Sequence, residues 1–267
     1  MSTPLDDLFV KVRAENRAAL IAYIPAGFPT IAGCKKVIQA FIEGGVDAIE
    51  IGFPYSDPVM DGPTIQAAAD QSLSQGTKAA DVFDALKVAT DSGVPAVVMT
   101  YWNPIEKYGV ENFAESSASA GGSGVITPDL TIEESGRWKS AVETHEINPI
   151  YVVAPSTSAE RLPQVTARCG GFIYAASLMG VTGARATVSS GAADLVHRIR
   201  ETTDLPVAVG LGVSTREQAK AVAGYADGVI VGSAFIKAIQ GAANEDEGLK
   251  AVKELAVQLS LGVREGR

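Results

Sequence analysis

Val46-Asp47-Ala48-Ile49-Glu50-Ile51-Gly52-Phe53 is a run of apolar residues and glycine interrupted by two carboxylates. A strand with one wet face alternates apolar and polar residues, whereas a strand covered on both faces is apolar throughout, as in parallel sheets flanked by helices. Runs of this kind, rich in Val and Ile, recur at Leu20–Ile24, Ala48–Ile51, Ala96–Met99, Val125–Thr127, Ile150–Val153, Phe172–Ala175, Val207–Val209 and Gly228–Val231. Segments with helical periodicity lie between them, among them Gly33–Phe41, Ala80–Thr90, Val110–Ala120, Ile132–Glu143 and Arg216–Val222. Eight strands alternating with helices predict an α/β fold, a closed (β/α)8 TIM barrel in a single domain, 1–267. An open doubly wound sheet is the alternative. An extra N-terminal helix near Leu5–Asn16 precedes strand one, Glu245–Leu261 forms a closing helix outside, and no linker or low-complexity stretch divides the chain.

Glu50 is the chemically informative residue of the opening run. A buried carboxylate without a partner favours its protonated form, so its pKa rises toward the range where one group both gives and takes a proton. The competing reading is an ion-paired structural acid. The stretch Pro54-Tyr55-Ser56-Asp57-Pro58-Val59-Met60-Asp61-Gly62-Pro63 adds Asp57 and Asp61 in a segment stiffened by three prolines. Barrels of this type carry their chemistry at the carboxyl ends of the strands. That rule selects Glu50 at the end of strand two, Asp57 and Asp61 in the loop after it, Tyr101 just beyond strand three and Tyr174 within strand six. Taken singly, Asp61 before glycine reads as a turn residue, Asp57 as loop-positioning, and the two tyrosines as core aromatics.

Strand seven runs into Gly210-Leu211-Gly212-Val213-Ser214 and strand eight into Gly232-Ser233-Ala234, each followed by a helical segment. Glycine lets the backbone approach a ligand, and N–H groups at a helix start cradle a phosphate without a basic side chain. The glycine-bearing loop Met179-Gly180-Val181-Thr182-Gly183 follows strand six and is placed to close over such a site.

A formal charge of −9 argues against a nucleic-acid surface, and no apolar run is long enough to span a bilayer. The N-terminus lacks a basic region followed by an apolar one, which predicts a cytoplasmic protein. Cys34 and Cys169 form no Cys-x-x-Cys pair and read as apolar fillers; His145 and His197 fall on helices without ligand or triad spacing. All eleven lysines lie outside the strand runs, which removes a Schiff-base aldolase, and the lack of strand histidines removes a zinc aldolase. Carboxylates and tyrosines remain to move protons on a small phosphorylated substrate that itself accepts electrons.

Across nearly its whole length the chain resembles the tryptophan synthase alpha subunit family. The resemblance rests on Ala22 to Pro29, Glu50 to Pro58 with Asp61 to Gln66, Met99 to Pro104, Pro128-Asp129-Leu130, Tyr174 with Gly180 to Gly183, Gly210-Leu211-Gly212 and Gly232-Ser233. It implies a lyase that cleaves indole-3-glycerol phosphate to indole and glyceraldehyde 3-phosphate by a retro-aldol step. By the same resemblance Glu50 does the acid/base work, Asp61 faces the indole N–H, Tyr23 and Tyr101 surround the indole, and Tyr174 lies near the reacting glycerol. Thr182, Gly183, Gly210, Gly212, Gly232 and Ser233 match substrate positions, chiefly around the phosphate. It implies no cofactor in this chain, and a pyridoxal-phosphate-dependent beta subunit as partner in an α2β2 heterotetramer. Thr131 and Phe28 depart from residues common in the family, near the surface that bears on the partner. A free-standing indole-3-glycerol phosphate lyase and a non-catalytic phosphate-binding barrel that regulates a partner are the alternatives.

Overall fold

Thr3 starts the first helix with a reciprocal cap. Its hydroxyl accepts from the Asp6 N–H, and the Asp6 carboxylate accepts from the Thr3 N–H at 2.7 Å. With Pro4 at the first position, where its missing N–H costs nothing, this fixes α1 (Pro4–Ala14), the extra helix expected ahead of the barrel. The computed structural model describes residues 2–176 and 190–267. Within them lie β1 (Ala19–Pro25), β2 (Ala48–Gly52), β3 (Ala96–Met99), β4 (Gly124–Thr127), β5 (Asn148–Val153), β6 (Ile173–Ala176), β7 (Val207–Gly210) and β8 (Gly228–Val231).

The strands pair in parallel in chain order, and Ala19↔Gly228 through Ala22↔Val231 join β1 to β8. That last ladder closes the barrel and removes the open sheet as an alternative. The outer layer begins with α2 (Ile31–Glu43), α3 (Pro63–Ser74), α4 (Ala79–Asp91), α5 (Trp102–Tyr108) and α6 (Val110–Ser119). It continues with α7 (Gly136–Thr144), α8 (Leu162–Thr166), α9 (Ser190–Arg200), α10 (Arg216–Ala223), α11 (Ser233–Gln240) and α12 (Glu245–Arg264). Every residue of β1, β2, β3, β4 and β8 is buried, which is why these segments read as unbroken apolar runs.

The helix expected from Ile132 begins only at Gly136. The Ile132 carbonyl accepts instead from the Ser135 hydroxyl and from Arg168, and the Glu134 N–H turns back to Thr131, so the first turn is spent on local contacts.

Two acids anchor the amino-terminal ends of the strands. Asp47 accepts from the two terminal guanidinium nitrogens of buried Arg17 at 2.9 Å and from the Leu20 N–H at 2.9 Å. Asp227, 4% exposed, receives the Val207 N–H at 3.0 Å and sits among Arg13, Arg200 and Arg267. Burial alone would raise the Asp227 pKa, but the Val207 N–H and the Arg267 and Arg200 guanidiniums outweigh it and hold the carboxyl low.

Candidate active site

Glu50 occupies the middle of β2, in register with Tyr23 of β1 and Val97 of β3. It is 1% exposed, and among the described residues neither carboxylate oxygen has a hydrogen-bond partner. Asp47 and Asp227 are ion-paired, whereas Glu50 has no ion-pair partner among the described residues. Burial first, and then the charge of Asp61, push its pKa up to about 8. A carboxyl in that environment keeps its proton at neutral pH.

Asp61 stands in the loop between β2 and α3, its carbonyl accepting from the Gln66 side chain at 2.7 Å. Burial raises its pKa, and a hydrogen bond from the Tyr101 hydroxyl opposes that rise. Tyr101, the N-cap residue of α5, also accepts the Met60 N–H at 3.1 Å. Its own pKa is pushed to about 12, chiefly by burial, so the phenol stays a donor. Asp57 is exposed and accepts from the Ser56 hydroxyl at 2.6 Å, in keeping with a loop role.

Tyr23 and Tyr174 are buried within the barrel, and each depends on glycine in its neighbours. A Cβ on Gly52 would stand 2.4 Å from the Tyr23 hydroxyl, and one on Gly232 would stand 2.9 Å from Tyr23 Cδ1. The Tyr23 ring therefore reaches from the end of β8 to the end of β2. Burial, followed by the charges of Asp61 and Glu50, raises its pKa well above the ordinary value; the same two acids act on Tyr174. Four of the expected residues, Glu50, Asp61, Tyr23 and Tyr174, thus share one electrostatic environment.

The glycine loops lie on the β7–β8 side. Gly212 has φ +76°, a conformation L side chains rarely adopt. Ser233 and Ala234 occupy the first positions of α11, whose N–H groups a helix cannot use internally, while the Gly232 carbonyl accepts from Phe235 and Ile236. Thr182 and Gly183 lie outside the described residues. Among the described residues no group of three or more His, Cys, Asp or Glu side chains is placed to hold a metal ion, and no helix is long and apolar enough to cross a membrane. Reading the sequence did not identify Tyr55 or Asn103 as site neighbours; their contacts depend on tertiary packing.

A closed parallel barrel with a buried carboxyl that no described residue pairs, a second acid and phenols beside it is the framework of an acid/base enzyme. The family model for the tryptophan synthase alpha chain matches residues 9–263. The tryptophan synthase alpha chain of Streptomyces avermitilis is 54% identical over 263 residues, covering 98% of this chain and 95% of that protein. A structure of Mycobacterium tuberculosis tryptophan synthase superposes with a TM-score of 0.92 at 47% identity, covering 99% of each chain. A mutant alpha subunit from Pyrococcus furiosus gives a TM-score of 0.83 at 33% identity, over 91% of this chain and 98% of the other. The chain belongs to the tryptophan synthase alpha chain family, and with it to the lyases of tryptophan biosynthesis.

Proposed function

We propose that the chain, acting as one domain, cleaves indole-3-glycerol phosphate to indole and glyceraldehyde 3-phosphate, with Glu50 as the proton-transfer group. The observation that carries this assignment is the buried Glu50 carboxyl, which has no hydrogen-bond partner among the described residues and whose pKa is pushed up to about 8. Protonated Glu50 gives its proton to C3 of the indole ring, making an indolenine that accepts electrons. The resulting carboxylate takes the proton of the glycerol hydroxyl as the C–C bond breaks. The bonding pair returns to the ring, the alcohol carbon becomes an aldehyde, and Glu50 ends protonated as it began. Asp61 accepts the indole N–H and stabilises the positive charge that develops on the ring. Tyr23 and Tyr101 bound the indole, and Tyr174 the glycerol. Gly210, Gly212, Gly232 and Ser233, with Thr182 and Gly183, receive the phosphate.

The chain needs no cofactor in this scheme. It works in the cytoplasm with a pyridoxal-phosphate-dependent beta subunit that consumes the indole in an α2β2 assembly. Val59, 80% exposed beside Asp57 in the loop that carries Asp61, is an apolar contact suited to that partner. The test is indole release from indole-3-glycerol phosphate by the purified chain, alone and with a cognate beta subunit. Acceleration by the partner is the expected result. Fast turnover that the partner leaves unchanged would make the chain a free-standing lyase, and no turnover in either case would leave a non-catalytic barrel.

A further inference from the structure

The Tyr101 hydroxyl accepts the Met60 N–H at 3.1 Å, and its interaction with the next residue, Asp61, opposes the rise that burial gives that carboxyl's pKa. One phenol therefore holds the backbone one residue before the proposed indole-facing acid and acts on its carboxyl. The Tyr101 ring is itself supported. Tyr55, at the start of the same loop, packs on it with ring centroids 5.3 Å apart and planes inclined by 35°. The Tyr55 hydroxyl accepts from the Asn103 side-chain amide at 3.2 Å. Asn103 lies in α5, whose start is pinned because both carboxylate oxygens of Asp129 accept the Trp102 N–H, at 2.9 and 3.1 Å. The chain of contacts thus runs from the loop after β4, through α5, to Tyr55, Tyr101 and Asp61.

We propose that Tyr55, held by Asn103, is a positioning residue for the reaction: it fixes the Tyr101 ring and, through it, the Asp61 carboxylate. The proposal rests on the reading of Asp61 as the acid that faces the indole N–H. Neither Tyr55 nor Asn103 touches the reacting atoms in this account. Their contribution is to turnover, because a displaced Asp61 stabilises the charged ring less while the phosphate contacts on the β7–β8 side are unchanged.

The experiment compares Tyr55→Phe, Asn103→Ala, Tyr101→Phe and the Tyr55→Phe/Tyr101→Phe double variant with the wild-type chain, in steady-state cleavage with the beta subunit present. One hydrogen bond is worth up to about a tenfold change in rate. Tyr55→Phe and Asn103→Ala should each lower kcat about 3- to 10-fold with KM within about twofold. Adding Tyr55→Phe to Tyr101→Phe should cost nothing further, since contacts in one network are not additive. An unchanged kcat in Tyr55→Phe, a loss confined to KM, or losses that multiply in the double variant would overturn the proposal. If the wild-type chain shows no cleavage at all, the functional reading fails by itself, and limited proteolysis within residues 56–62 then decides. Faster cutting in Tyr55→Phe and Asn103→Ala supports the clamp, and equal cutting removes it.

Discussion

Tyr174 lays its hydroxyl over Gly210 of the neighbouring strand: a Cβ on that glycine would stand 2.6 Å from the phenol oxygen and 3.1 Å from Cε1 and Cζ. The register pairs Tyr174 with Ala208, so Gly210 is the next residue of β7 on the same face. Gly210 therefore gives a buried tyrosine its room in the barrel, quite apart from any contact with a phosphate.

Gly210→Ala should destabilise the protein by about 1–3 kcal/mol, the usual cost of overpacking a filled interior. Tyr174→Phe removes the nearest clashing atom and should recover part of that loss. Urea unfolding of the four proteins in the cycle measures both; an equal cost of Gly210→Ala with Tyr and with Phe at 174 would refute the contact.

Glu50→Gln keeps the shape of the side chain and removes its proton transfer. Turnover should fall by about 10²–10⁴-fold, the range expected for a positioned acid/base group. Undiminished cleavage by Glu50→Gln would eliminate the mechanism.

The same residue makes stability depend on pH in a direction unusual for an acid. Its ordinary pKa of 4.5 is raised to about 8 in the folded chain. Below pH 4.5 it is protonated in both states; between there and pH 8 the folded chain keeps a proton that the unfolded chain has released, so stability falls as pH rises. The stability difference between Glu50→Gln and wild type should therefore shift in favour of Gln from about pH 4.5 to about pH 8, by at most about 5 kcal/mol, and level off above. Chemical denaturation at three pH values checks the sign; a constant difference would show that Glu50 titrates normally.

The strands were legible in the sequence because burial on both faces leaves unbroken apolar runs, and Glu50 was legible as the charge inside one of them. Barrel closure follows from the β1–β8 ladder. Periodicity places the start of α7 four residues early because Ser135 and Arg168 take the Ile132 carbonyl, a competition that the pattern does not report. Nor does periodicity reveal that Gly52 and Gly232 make room for Tyr23, or that Tyr55 rests on Tyr101. Those relations depend on the register between strands and on loop packing, and a single chain read in one dimension contains neither.

Asp61 should shape both arms of the pH profile. Cleavage needs Asp61 ionised and Glu50 protonated, so kcat/KM should be bell-shaped, with an acid arm above the ordinary aspartate value of 3.8 and an alkaline arm near pH 8. Because the two acids interact, these arms report the pair rather than either residue alone. Asp61→Asn should abolish the acid arm and lower kcat by about 10²–10³-fold, as expected when one stabiliser of transition-state charge is removed. It should also move the alkaline arm to lower pH, because the Asp61 charge is one of the two causes that raise the Glu50 pKa. Tyr101→Phe should act on the other arm. Losing the hydrogen bond that holds Asp61 down lets burial raise its pKa further, and the acid arm moves up. An alkaline arm that stays in place in Asp61→Asn would show that the two carboxyls do not sense each other, and that burial alone sets Glu50.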